Sequence, residues 1–273
     1  MKNIWIVSLG TIREAFARKV FIFFLIVTVL VLLIMIGTYS VLNVDMLIGS
    51  INKTVNSGSV KEIISSLEFL VISPLAGLCI LLSIFASSSF IPTMLEKGNI
   101  DLLLSKPLSR DQLIIGKFLG GVLVVFINIL LLILGVWLII SLKFSYWDFS
   151  FLLSAIIITF SFAVLYSIII LFGVMTKSSI PGMMIAYFVL IVLSPLLLAG
   201  RTQFKPMIEN EIARTAIDVL YYFIPKISEL MGNILYEVST GQGILNYQPV
   251  LTSFLFLILM LGFTIYLFRK KDF

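Results

Sequence analysis

The sequence predicts an all-α integral membrane protein that crosses the bilayer with six transmembrane helices. Three observations carry this reading. Mean hydropathy is +1.16 and 60% of the 273 residues are hydrophobic, far more apolar surface than one soluble core hides. The apolar residues come in blocks of roughly 20 or more, the length that a helix rising about 1.5 Å per residue needs to cross about 30 Å of hydrocarbon. The blocks are also continuously apolar, whereas the strands of a transmembrane barrel alternate in polarity over segments of about ten residues.

Residues 1–19 come first. Trp5, Leu9, Ile12 and Phe16 recur there at helical spacing, with Arg13, Glu14 and Lys19 on other faces, the pattern of an amphipathic interface helix lying in the headgroup plane. A plain positively charged flank is the alternative. Six blocks follow: Val20–Val41, Phe69–Leu95, Phe118–Leu142, Phe149–Met175, Ile180–Ala199 and Val250–Phe268, none containing Asp, Glu, Lys or Arg. The first is long for the apolar region of a cleaved signal peptide, so it is expected to stay in the mature protein.

Sidedness follows from the charges between blocks. One side holds Lys2, Arg13, Arg18, Lys19, Lys97, Lys106, Arg110, Lys117, Lys177, Arg269, Lys270 and Lys271, twelve basic residues against five acidic ones, a net of +7. The other holds seven basic and nine acidic residues, a net of −2. Since cytoplasmic segments are enriched in Lys and Arg, both termini are expected in the cytoplasm of a multi-pass cell-membrane protein. The formal charge of +5 thus reads as topology and not as a nucleic-acid footprint.

Several chemistries lack their parts. There is no histidine, which removes imidazole metal sites and His proton relays, and the single Cys79 sits inside the second block, so no metal site is expected. Secondary transporters and pumps usually carry an ionisable group at membrane depth, and the blocks have none. Ser87, Ser88, Ser89 and Tyr166 are expected to serve helix contacts. Asn128, an amide near mid-span, either serves such a contact or lines a substrate path. Gly116, Gly120, Gly121 and Gly135 permit close helix approach, Gly116 and Gly120 as a small-xxx-small pair. The only Gly-Lys pair, Gly116-Lys117, lacks the rest of a phosphate-binding loop, so no nucleotide site or other catalytic motif is expected.

The segment from Glu96 to Lys117 places seven charged residues in 22 positions of a chain that is 12% charged. Ser109 and Gln112 form a capping box, so a helix should start near Arg110 and run into the third span. Upstream, Asn99 can cap a short helix through Ser105, with Ile100, Leu103 and Leu104 on one face. Leu102 falls off that face, as a knob for a partner's groove would.

The run Glu96-Lys97-Gly98-Asn99-Ile100-Asp101-Leu102-Leu103-Leu104-Ser105-Lys106-Pro107-Leu108-Ser109-Arg110, followed by Gly116-Lys117, resembles a segment of type-2 ATP-binding-cassette (ABC-2) permeases. It is most similar to the branch named for multicopper-enzyme maturation and gliding motility; Asn99 stands where Thr is commoner, and both residues cap helices. The resemblance covers the whole chain, 1–273, as one permease domain. It implies that residues 96–117 hold a cytoplasmic coupling helix between spans two and three, touching an ATPase subunit through Glu96, Lys97, Gly98, Asp101, Leu102, Leu103, Lys106, Pro107 and Arg110. The interface helix, with Trp5, Arg13, Glu14 and Arg18, lies alongside. ATP and magnesium would be bound by that partner, with no cofactor in this chain, and a second permease copy or a paralogue would complete the assembly. Ten Met without His make a poor copper path, so the name of the branch identifies no cargo.

Residues 201–248 precede the last span. Pro206, Ile208, Ile212, Ala216, Val219 and Phe223 read as one amphipathic helix ended by Pro225, and Ile227, Leu230, Met231, Ile234 and Val238 as a second. The resemblance implies outer, partly re-entrant helices that gate the path; a cap lying on the outer leaflet is the alternative. Two functions remain open at this stage: the membrane-spanning permease of an ATP-driven transporter, an exporter by the resemblance, or a non-transporting anchor that docks a cytoplasmic partner.

Overall fold

A computed structural model of the protein describes residues 2–17, 19–41, 60–96, 98–99, 108–204 and 211–271. Every regular element among them is helical: α1 (Lys2–Ala17), α2 (Val20–Val41), α3 (Val60–Ser87), α4 (Phe90–Met94), α5 (Arg110–Phe144), α6 (Ser154–Thr176), α7 (Ser179–Phe188), α8 (Ser194–Ala199), α9 (Glu211–Phe223), α10 (Ile227–Glu229), α11 (Leu235–Ser239) and α12 (Gln248–Lys270). Six stretches are long and apolar enough to cross a membrane: Phe21–Thr38, Ile64–Met94, Arg110–Phe144, Phe149–Thr176, Ser179–Gln203 and Gln248–Lys270.

The second of these corrects a boundary. The second block begins at Phe69, but α3 starts at Val60 and carries Glu68 fully buried within the span. Apolar runs end where a charge appears, whereas a helix continues as long as its backbone bonds do. Spans two to six are therefore not all free of ionisable groups.

The fourth span lies at the centre. Of its most apolar stretch 83% is buried, against 11% for the first span and 17% for the last. Its helix α6 is apolar on every side, as a helix surrounded by others must be. Ser161 and Ser167 silence their hydroxyls on their own helix, donating to the carbonyls of Ile157 at 2.9 Å and Val164 at 2.7 Å. Helices α3, α5, α7 and α12 pack around α6. The outlying α2 leaves Ile26, Leu30, Leu33 and Ile34 exposed, a surface fit for lipid or another helix.

Helix α5 has 35 residues, about 50 Å at about 1.5 Å per residue, so its first turns stand clear of a bilayer core of about 30 Å. Its glycines are contact points for three neighbouring helices. A Cβ at Gly116 would come within 2.6 Å of Val7 Cβ on α1, one at Gly121 within 2.6 Å of the Tyr166 ring on α6, and one at Gly135 within 2.5 Å of Leu32 on α2.

Ser83, Ser87 and Ser88 of the second span are buried and turn their hydroxyls back on the chain. Ser83 and Ser87 donate at 2.6 Å to the carbonyls of Cys79 and Ser83, and Ser88 donates to Phe85 at 2.8 Å, so these hydroxyls bond their own helix instead of a neighbour. Such back-bonding loosens the helical ladder, and here α3 stops and α4 begins after a turn at Ser88 and Ser89. Tyr166 is buried and stacks between Phe118 and Phe162.

Residues 205–210, and with them the expected start of the first outer helix, lie outside the described residues. Helix α9 ends before Pro225 as its sequence predicts, and it exposes Ile212, Val219 and Phe223 while burying Tyr221. The second helical piece before the last span, α10, a wide π-type turn over Leu230–Ile234 and α11, buries Ile227, Leu230, Ile234, Leu235 and Val238. It packs on α3 and α6, with Tyr236 edge-on to Phe69 at 5.0 Å.

Candidate functional site

The start of α5 and the end of α12 meet at one end of the bundle with α1, and the helices there are tied by directed polar contacts. Ser109 adopts an extended backbone, its Oγ accepts from Gln112 N at 3.2 Å, and its own N–H donates to Gln112 Oε1 at 3.3 Å. This is the capping box the sequence predicts. Asn3 Nδ2 donates to the same Gln112 oxygen at 3.3 Å, which links α1 to the start of α5.

Farther along the seam Lys117 Nζ meets Glu14 Oε2 at 2.5 Å, with the lysine side chain 8% and the glutamate 24% exposed. Val7, Ser8, Thr11 and Ala15 are the buried face of α1, while Trp5, Leu9 and Phe16 remain exposed. Trp5, Leu9 and Phe16 of the apolar stripe thus stay off the protein contact, while Ile12 packs on the core beside these buried residues. Gly120 completes the fit, since a Cβ there would lie 2.6 Å from Thr11 Cβ and 2.8 Å from the carbonyl oxygen of Ser8.

The last carbonyls of two spans are held by cations. Arg110 Nη1 donates to the carbonyls of Phe268 at 3.2 Å, Arg269 at 3.0 Å and Lys271 at 2.5 Å, at the end of α12. Lys271 Nζ donates to Val174 at 2.5 Å and Met175 at 2.9 Å, at the end of α6. Positive groups suit these positions because a helix C-terminus presents unpaired carbonyls and the negative end of the backbone dipoles. Arg269 closes the ring with a two-pronged contact to Asp111.

Beside these ties lies a cleft of about 670 Å³, lined by Trp5, Leu9 and Arg13 of α1, Met94 of α4, Asn99, Leu108 and the Glu14–Lys117 pair. Glu96 and Asn99 are exposed, Gly98 has a φ of +91°, and Asn99 Nδ2 turns back to the Thr93 carbonyl at 3.1 Å. Arg18, Lys97 and residues 100–107, hence Asp101, Leu102, Leu103, Lys106, Pro107 and the short helix expected through Ser105, lie outside the described residues. Of the predicted contacts, the structure places Trp5, Arg13 and Glu14 on the cleft, Glu96 and Gly98 in the segment that leaves it, and Arg110 inward on α12.

Asn128 sits apart from this end. It is buried, its Nδ2 donates to the Val124 carbonyl at 2.8 Å, and its Oδ1 has no partner. It lines a crevice among α2, α3 and α5 with Thr28 and Cys79, holding about 10 Å³ of open space, about one water's worth. Among the described residues no three His, Cys, Asp or Glu side chains come together as metal ligands.

The seam residues Val7, Ser8 and Thr11 and the Glu14–Lys117 pair escape sequence reasoning. Their signal was small residues at helical spacing on α1 facing Gly116 and Gly120 on α5. A family model described as ABC-2 family transporter protein matches residues 16–273, and no curated protein matches. With the match running from the end of α1 through all six apolar spans, the chain belongs to the ABC-2 transporter family and is a multi-pass membrane permease subunit of an ABC transporter.

Proposed function

We propose that this permease is half of an exporter of the gliding-motility and multicopper-maturation type. Two copies, or this chain and a paralogue, pair in the cell membrane and are driven by ATPase subunits that bind ATP and magnesium. Those subunits dock at the end carrying both termini, which faces the cytoplasm. The observation that supports this most is the cleft: Asn99 and Leu108, where the chain enters and leaves residues 100–107, both line it beside α1 and the start of α5. A docking helix in that segment transmits its movement to α1 and α5 together, because the two are joined along their seam. The bare apolar face of α2 supports pairing with a second copy, and the buried outer piece α10–α11 supports an outer gate over the path. Asn128 belongs to that path in a more open state.

The test is pull-down of the co-expressed ATPase, with ATPase activity measured on membranes holding equal amounts of each variant. Leu102→Ala removes an apolar contact and is expected to weaken association about tenfold or more, leaving insertion unchanged. Association at the wild-type level in Leu102→Ala overturns the docking helix. Wild-type association without any stimulated hydrolysis assigns the chain to an anchor instead.

A further inference from the structure

At the end of the bundle opposite the start of α5, two cations share one aromatic ring. The fifth span, Ser179–Gln203, starts next to the end of α6 that Lys271 holds, so its last turn, Gly200–Phe204, reaches the far end. There Arg201 stacks its guanidinium over the Tyr221 ring at 4.1 Å, and Lys226 sets its ammonium over the same ring at 4.0 Å. Tyr222, edge-on to Tyr221 with ring centres 5.6 Å apart, has the guanidinium 5.6 Å and the ammonium 4.8 Å from its own centre. The Tyr221 hydroxyl donates to Glu229 Oε1, and Glu229 and Arg201 are the charged groups that act on Lys226.

Lys226 is 4% exposed, and its Nζ has no hydrogen-bond partner. It lines a niche with Ser194 and Leu198 of α8, Tyr221 of α9, and Ser228 and Glu229 of α10. The niche holds about 10 Å³ of open space, room for one water-sized atom. Its walls are fixed by the main chain: Lys226 N donates to Ser253 Oγ on α12 at 3.2 Å, and Ser228 N donates to Ser194 Oγ at 2.8 Å. Ser194, an acceptor in that bond, keeps its own hydroxyl hydrogen to give.

An ammonium has three N–H donors, and burying it with none of them satisfied is costly. Loss of a proton does not remove the demand, because the neutral amine keeps two N–H groups and Arg201 stays charged at any ordinary pH. Glu229 balances one of the two cations and is already engaged by Tyr221, so one positive charge is left at a niche the size of a single oxygen. Water fits such a space but brings no charge to set against it. We propose that Lys226, Arg201 and Ser194 form a binding site for a phosphate-type oxyanion. One of its oxygens enters the niche as acceptor for Lys226 and Ser194, and Arg201 supplies the second positive charge. A lipid headgroup and a free anion share this chemistry, and the exposed Val219, Leu220 and Phe223 of α9 offer apolar surface for acyl chains beside it. The inference stands on these side chains and not on the docking of ATPase subunits, so either can fail alone.

The experiment is thermal unfolding of the purified full chain in an uncharged detergent at neutral pH. It is titrated with sodium phosphate against sodium chloride at equal ionic strength, and with dihexanoyl phosphatidic acid against dihexanoyl phosphatidylcholine. Wild type is expected to gain a saturable rise in Tm with the phosphatidic acid. A matching rise with inorganic phosphate assigns the site to free oxyanions as well, and a rise with the lipid alone assigns it to headgroups. Lys226→Met and Arg201→Gln should each raise the half-saturating concentration about tenfold or more, the loss of one charged contact, while Lys143→Gln, exposed at the end of α5, responds as wild type does. Should Lys226→Met fail to fold, native mass spectrometry of wild type and Ser194→Ala with phosphatidic acid decides; less bound lipid is expected on the variant, and equal amounts overturn the site. A wild-type Tm that answers neither oxyanion overturns it too, as does a response that chloride or phosphatidylcholine matches, or one unchanged in both Lys226→Met and Arg201→Gln.

Discussion

The pair between Glu14 and Lys117 gives a quantitative test of how α1 is held. The lysine side chain is 8% exposed and the glutamate 24%, so the two removals are not equivalent. Glu14→Gln leaves an ammonium buried against α1 without its carboxylate. Breaking a fully buried pair this way costs about 3–5 kcal/mol, and the partial exposure of Glu14 places the expected loss near about 2–3 kcal/mol. Lys117→Met removes the buried charge itself and leaves a carboxylate that water reaches, an expected loss of about 1 kcal/mol. The double variant retains packing without either charge and should lose about 1 kcal/mol, a coupling of about 2–3 kcal/mol between the sites. Denaturant unfolding of the four proteins in one detergent measures this, with hydrogen exchange on α1 showing where protection is lost. Equal losses in the single variants that simply add in the double would refute a coupled buried pair.

Three further expectations follow from the same geometry. Gly120→Ala drives a methyl group against the Ser8 carbonyl and should destabilise by about 1–3 kcal/mol, while Gly262→Ala, with nothing within 4 Å, should be harmless in the same melt. Ser109→Ala removes the cap of α5 and should cost about 1 kcal/mol, seen as faster exchange confined to its first turn. Between α9 and α10 Lys226 is buried over the Tyr221 ring at 4.0 Å, and burial, aided by Arg201 and opposed by Glu229, lowers its pKa from 10.5 to about 8. The folded state therefore disfavours the charged lysine: the penalty is complete below pH 8 and fades as pH rises above it. Tyr221, held above its usual 10.0 by burial and by Glu229, closes the window from the upper side. Protection of α10 against exchange, corrected for intrinsic rates, should increase between pH 8 and 10 and lose that trend in Lys226→Met.

The spans were legible because hydrocarbon demands the same thing of every crossing helix, about 20 residues without charge. The cap at Ser109 was legible because its two hydrogen bonds lie within four residues. Span ends were less so. Glu68 marks a polar boundary in the sequence, yet α3 runs through it, since a carboxyl buried among neighbouring helices need not end a backbone ladder. The serines of the second span could not reveal whether they bond a neighbour or their own helix, because both outcomes use the same residue type.

The polar ties of the terminal end explain why its site was hardest to read. Arg110 and Lys271 donate to main-chain carbonyls at the ends of α12 and α6, and every residue type has such a carbonyl. No pattern of side chains announces those acceptors; only the arrangement of helix ends does. Arg110 looks, in sequence, like a charge presented to a partner, and in the fold it donates to three main-chain carbonyls at the end of α12, beside the start of α5. Glu14 is drawn inward likewise by Lys117, leaving Trp5, Leu9 and Arg13 as the exposed side of α1. Under the proposed docking, a partner at this end meets Trp5, Leu9 and Arg13 beside a seam whose Glu14–Lys117 pair is joined within the chain. On that proposal apolar burial outweighs exposed charge, and Leu102→Ala is the substitution that tests docking apart from folding.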